Sequence, residues 1–224
     1  GGSGNGDVNT GVNSYTNNSV GVQETKKFTK AAALNNQLAT KQYTKNSLGL
    51  SKEATAGLMG NILSESSFNA GSSAVDNNGA VAKGLIAWNR ASYGNVWDQI
   101  PTDAQGQIEF LFTSKRKNGS SLTGGVDKWL AEAKANPTGT KTTSTDSELQ
   151  SAIASGLTGA AYFAFAFAYF VERCCGCIKV QQYLDPSGTK CHGKGPYKPR
   201  KHREGFALDF YKRLNDPNDQ LYWG

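Results

Sequence analysis

Residues 51–71 read SKEATAGLMGNILSESSFNAG, and this stretch decides the fold. Ser51 is a good helix N-cap, and Glu53 falls in the first turn, where the helix dipole favours a negative charge. Ala54, Leu58 and Ile62 recur at i, i+4 and i+8, with Met59 and Leu63 widening the apolar stripe. The spacing predicts a helix ending between Phe68 and Gly71, with Asn69 and Gly71 as terminators and Glu65 near its last turn.

Working outward, helical spacing recurs through most of the chain. Lys30 to Tyr43 places Ala32, Leu34, Leu38 and Tyr43 on one side; Gln105 to Phe112 and Val126 to Ala135 follow the same period. Asp146 and Ser147 offer a cap for a helix through Ile153. The run Gly159 to Val171 (GAAYFAFAFAYFV) fits either a strand or a helix by its aromatic spacing, and its alanines favour the helix. Arg203 to Leu214 reads as a closing amphipathic helix. Leu85 to Trp88 is too short to classify, and hardly any segment reads as a strand. The expected fold class is therefore mainly α.

Within the 224 residues, 38% are hydrophobic and 19% charged, with 26 glycines. The length is ample for one sizeable core. Residues 1–25 are compositionally distinct, since 17 of them are Gly, Asn, Ser or Thr. This segment reads as a flexible linker or arm, with the domain proper spanning 26–224. The net charge of +6 is too modest for a dedicated nucleic-acid binder and suits contact with an anionic polymer such as a bacterial wall. No basic segment followed by an apolar one marks a secretory signal. The longest apolar run, Gly159 to Val171, falls short of the ~20 residues a membrane-spanning helix requires.

Glu65 ends an apolar helix among small polar residues, nineteen positions before GLIAW at Gly84 to Trp88. A carboxylic acid at the dry end of a helix, beside a groove walled by Trp88, can keep its proton and donate it to a glycosidic oxygen. The bland alternative is a solvated glutamate. The segments GLSKEATAGLMGNILSESSFNA, GLIAWNR, QIEFLF, FVER and REGFALDFY, in that order, resemble the phage tail lysozyme family of the lysozyme superfamily over roughly Tyr43 to Trp223. The most specific part is the GNI-x-x-ES core at Gly60 to Ser66 with the later GL-x-x-W.

The resemblance implies a lysozyme-like, mainly α domain that cleaves peptidoglycan glycan strands as a muramidase. It further implies a place in the virion tail beside other tail proteins, action in the host cell envelope, no catalytic cofactor, and Glu65 as general acid. Ala87 stands where the family pattern commonly carries Gln, and Cys174 where a Pro often follows the ER pair. A stretch from Cys174 to His202 reads as an insertion.

A second carboxylate has two candidates. Asp76, in a DNNG turn, would position water; Glu172, in FVER, would be a catalytic partner or an ion-pair partner of Arg173 or Arg203. Trp88 would stack on a sugar or fill the core. Asn61, one turn before Glu65, would bond an acetamido group, orient the acid or satisfy a carbonyl. Tyr162 and Tyr169 offer groove hydroxyls or, as aromatic residues in such a run more often do, fill the core. Cys174, Cys177 and Cys191 with His192 or His202 would make a structural zinc site, while disulfides or free thiols fit the same four cysteines, the fourth being Cys175. Lys190, Lys194, Lys198, Arg200, Lys201 and Arg203 form a basic loop expected to face outward. Two alternatives accompany the muramidase expectation: a lytic transglycosylase, and a non-catalytic wall-binding or structural tail module.

Overall fold

The computed structural model describes residues 13–19, 22–75 and 79–224. The chain opens with a hairpin, β1 (Asn13–Ser19) and β2 (Val22–Phe28), whose antiparallel register pairs Asn13 with Phe28 and Ser19 with Val22. The hairpin takes in the second half of the segment read as an arm, 1–25, where Tyr15, Thr16, Val22 and Thr25 are residue types that favour extended backbone.

Helix α1 (Lys30–Gln42) is capped by Thr29, whose hydroxyl accepts from the Ala32 amide at 3.1 Å, and it tightens into a π-helical turn over Tyr43–Ser47. Helix α2 (Lys52–Ser66) starts at Ser51 as expected, with the Ser51 hydroxyl accepting from the Ala54 amide at 3.1 Å. It stops before the expected boundary. Ser67 (φ 54°) and Phe68 (φ 61°) both adopt left-handed backbone, which turns the fully buried Phe68 ring edge-on to Phe210 at 5.8 Å. Packing of that ring outweighs the backbone cost, so no glycine is needed to end the helix.

A small antiparallel sheet follows: β3 (Ser73–Val75), β4 (Val81–Lys83) and β5 (Trp88–Asn89). Strands of two or three residues carry no readable period, which is why hardly any segment reads as a strand in the sequence. Next come the single turn α3 (Arg90–Tyr93), α4 (Ala104–Thr113) capped by Asp103, α5 (Val126–Ala135) and α6 (Ser147–Ala154) capped by Asp146. The aromatic run resolves as helix: α7 (Ala160–Phe167) continues as a π-helical turn over Ala168–Glu172. Short α8 (Val180–Leu184), strands β6 (Thr189–Cys191) and β7 (Lys194–Tyr197), and α9 (Pro199–Leu214) complete the chain.

Helix α2 is the axis of the core and is buried on nearly all sides. Two glycines let its neighbours approach. A Cβ at Gly57 would lie 2.5 Å from the Phe163 Cβ on α7, and one at Gly60 would lie 2.6 Å from the Arg203 carbonyl oxygen on α9. Side-chain-free positions therefore bring three helix backbones together, and the buried hydroxyls of α2 find partners inside. Thr55 donates to Thr44 at 2.8 Å, and Ser66 donates to the Leu85 carbonyl at 2.8 Å. All eight residues of α7 are buried. Trp129 on α5 lies edge-on to Phe163 and Phe167 and donates its indole N–H to the Phe163 carbonyl. Among the described residues no helix is long and apolar enough to cross a membrane.

The four cysteines are paired, Cys174 with Cys177 and Cys175 with Cys191, with Cα separations of 5.0 and 5.9 Å. With the sulfurs joined to one another, the zinc arrangement of Cys174, Cys177 and Cys191 has no thiolates to offer, and no group of three or more His, Cys, Asp and Glu is placed to hold a metal among the described residues. His192 and His202 are both exposed. The basic segment divides. Lys190, Lys194, Lys198, Arg200 and Lys201 face outward, but α9 begins at Pro199 and carries Arg203 inward to 1% exposure. Proline is well suited to the first helical position, and it moves the helix start four residues ahead of the expected one.

Candidate active site

Asn61 and Glu65 are four residues apart and share one face of α2. Because Gly60 admits the α9 backbone, that face meets Arg203. The Arg203 guanidinium donates from Nη2 to Glu65 Oε1, from Nη1 to Asn61 Oδ1 at 2.7 Å, and from Nη2 to the Tyr197 hydroxyl at 3.4 Å. Asn61 is fully engaged, since its Nδ2 donates to the Gly57 carbonyl at 3.0 Å and the Ala164 carbonyl at 2.9 Å. It has no group left for an acetamido contact and bears on Glu65 through Arg203.

Glu65 is only 3% exposed. The expected acid lining an open groove is instead one half of a buried ion pair, because the close approach of α9 that Gly60 permits covers the helix end. Burial works against the Arg203 charge, but Glu65, Tyr197 and Glu172 more than offset it, and its pKa stands above the usual arginine value.

Glu172 arrives from the end of the π-helical turn after α7, where Arg173 (φ 46°) reverses the chain. The residue is half-buried with its Oε1 fully enclosed. Burial first, and then the neighbouring Glu65 charge, push the Glu172 carboxyl well above the usual glutamate range, with Arg203 opposing. Tyr93 on α3 also feels Glu172: burial and that charge raise its phenol, while a bond from the Gly124 amide and the Arg116 charge act the other way. Three polar atoms of this cluster, Glu65 Oε2, Glu172 Oε1 and Arg203 Nε, are buried without a hydrogen-bond partner among the described residues. Such groups are costly to leave unsatisfied, and this makes the cluster the candidate site.

Other expected site residues lie elsewhere. Trp88 is 1% exposed, edge-on to Phe110, and donates its indole N–H to Thr123 Oγ1 at 3.1 Å. It fills the core and has no free face for a sugar. Tyr162 is fully buried and donates to Glu132 Oε1 at 2.6 Å, so it lines no groove. Tyr169 donates to Asp146 Oδ2 at 2.8 Å and, by burial and that bond, is pushed up to about 12. It lines a polar cleft of about 510 Å³ with Asp146, Glu148, Arg173, Ile178 and Lys179. Asp76 lies outside the described residues. Two members of the cluster, Tyr197 and Tyr93, did not stand out in the sequence, and Arg203 stood out as a partner of Glu172 and as part of an outward basic loop rather than as the partner of Glu65. Arg203 shares the spacing of Ala207, Phe210 and Leu214, the buried face of α9, and that period was the signal for an inward arginine.

Residues 35–173 match the family described as phage tail lysozyme, more than half of the 224 residues. The chain belongs to the phage tail lysozyme family. The match takes in Glu65 and Glu172 and stops at Arg173, so the paired cysteines, Tyr197 and Arg203 all lie beyond it. Comparison with curated proteins and with solved structures gave no match. Membership places the chain with tail-associated peptidoglycan hydrolases, and a lysozyme acts as a glycoside hydrolase.

Proposed function

We propose that this lysozyme-family domain cleaves the β-1,4 bond following N-acetylmuramic acid in the glycan strands of the host wall, with Glu65 and Glu172 as its carboxyl pair. The observation that carries the proposal is the meeting of these two carboxyls at one enclosed site, where burial and the Glu65 charge push the Glu172 carboxyl well above the usual glutamate range. Glycosidic cleavage needs a carboxylic acid to protonate the leaving oxygen and a negative group to stabilise the oxocarbenium-like state. No metal is required for that chemistry. The outward-facing lysines and arginines around β6, β7 and the start of α9 support approach to an anionic wall.

Digestion of purified sacculi followed by mass spectrometry tests this. Disaccharide fragments with reducing N-acetylmuramic acid ends are expected. Glu65→Gln and Glu172→Gln should each lower turnover by about 10²–10⁴-fold. Anhydro ends would move the assignment to a lytic transglycosylase, and peptide fragments with intact glycan strands would overturn glycan cleavage altogether. A second reading, a wall-binding tail module without turnover, draws on the 3% exposure of Glu65 and its pairing with Arg203. Sacculus binding with no released saccharide would establish it.

A further inference from the structure

Arg173 follows Glu172 directly and is the last residue of the family match, yet its guanidinium turns away from the carboxyl cluster. Its Nη1 donates to the Tyr169 carbonyl at 3.1 Å, and the group lies 5.9 Å from the centre of the Tyr169 ring. The left-handed backbone at Arg173 (φ 46°) thus sends two consecutive side chains to two neighbouring sites. The Cys174–Cys177 bridge closes this turn, and the chain beyond it lies against the start of α6, where the Val180 amide donates to Glu148 Oε2 at 2.7 Å. The polar cleft of about 510 Å³ between them therefore has one wall inside the family match and another, Ile178 and Lys179, beyond it.

We propose that this cleft is a subsite for the peptide carried by muramic acid, so that the domain takes peptide-bearing glycan strands in preference to bare ones. This rests on the reading of the chain as a glycan-strand hydrolase and deepens it by naming the form of the strand.

The charges of the cleft select the ligand. Asp146 is engaged, since its Oδ1 accepts from the Glu148 and Leu149 amides at 2.9 and 3.4 Å and its Oδ2 accepts from the Tyr169 hydroxyl. Glu148 Oε1 meets only Lys179, at 3.8 Å, and the Lys179 side chain is 65% exposed. A pair so long and so open holds neither partner firmly. Arg173 makes no ion pair among the described residues. Two cations and one carboxylate oxygen are left to bind something. A polyanion would be repelled by Asp146 and Glu148, and a neutral sugar has no use for two cations. A short peptide with both acidic and amino groups satisfies all three, and the peptides of peptidoglycan, with their carboxylates and diamino residue, are of that kind. Arg173 takes a carboxylate through its forked N–H groups, Lys179 takes a second, and Glu148 receives the amine. The Tyr169 ring, stacked on Phe165 at 5.7 Å, and the exposed Ile178 offer apolar surface to the alanine methyls between. Reach is sufficient. A four-residue peptide extends to about 14 Å, and the cleft begins one residue along the chain from Glu172.

The experiment compares soluble glycan strands that carry their peptides with strands stripped by an amidase, for the wild type, Arg173→Gln and Lys179→Glu. The wild type should show a KM about 3–30-fold lower on the peptide-bearing strands, with kcat similar on both. Both variants should shrink that ratio toward one, whereas a merely structural defect slows both substrates alike and leaves the ratio intact. Should Arg173→Gln not fold, Lys179→Glu, at an exposed position, decides. In parallel, the tetrapeptide freed by the amidase is titrated into the wild type, and the Ile178 methyl resonances should shift. Equal KM values on the two strands, or a ratio that survives in Lys179→Glu, overturn the subsite and leave glycan cleavage standing. No saccharide release from either strand by the wild type overturns the catalytic reading, and the presence or absence of the Ile178 shift then decides the subsite by itself.

Discussion

Around α2 there is no room for a methyl group at Gly57 or Gly60, whereas Gly193 and Gly195, between and within the strands β6 and β7, have nothing within 4 Å of where a Cβ would stand. The first region is held by close contact of three helix backbones and an aromatic cluster about Trp129. The second, from Cys174 to Lys198, sends Cys174, Cys177, Val180 and Tyr183 into the core and is otherwise held by two cross-links and one short strand pair. The contrast teaches that a chain segment with few core residues can still deliver a side chain to an interior site if it is tied at both ends. Arg203 is that side chain: it follows the tied segment directly and enters the packed one.

The comparison is tested most severely by Trp129→Ala. Removing a fully buried indole should cost about 3–5 kcal/mol and lower Tm by roughly 6–20 °C in calorimetry, because the body has no other device to fall back on. Opening the tied region with Cys175→Ser and Cys191→Ser comes next. The bridge spans a separation of 16 residues, and loss of a loop of that size is worth about 3 kcal/mol. The expected readout is local, with faster amide exchange over 176–198 and smaller changes in α2 and α7. Equal acceleration in both regions would erase the distinction.

The smallest effect sharpens the place where the regions meet. Glu172 has its folded pKa raised by burial and by Glu65. Its contribution to stability is therefore fully present below its unfolded value of about 4.3 and is lost as pH rises through the folded value. The wild type should lose ground to Glu172→Gln as pH rises from about 4 through the folded value when Tm values are compared. A difference independent of pH would mean that Glu172 is not held protonated.

The elements legible in the sequence are those whose signals are local. Ser51 and Asp146 announced their helices by side-chain capping, and the Val126–Ala135 helix matched its apolar period to the residue. Phe68 was not legible, because a left-handed phenylalanine is explained only by the ring of Phe210 far along the chain. Trp88 and Tyr162 could not be decided between core and groove for a related reason: an aromatic residue near a presumed groove looks the same in sequence whether Thr123 and Glu132 wait for it or a sugar does. Glu65 was placed correctly at its helix end, but its partner is 138 positions away. No spacing rule covers such a distance.

The clamping of α2 by Gly57 and Gly60 reaches beyond the helix itself. A helix whose backbone touches two others can neither rotate nor slide without parting all three. The strands β3 to β5 are bound to that fixed element, since Ser66 donates to the Leu85 carbonyl at 2.8 Å and the Gly84 amide donates to the Ser72 carbonyl at 2.9 Å. Glu65, at the end of α2, is therefore anchored through helix and sheet alike.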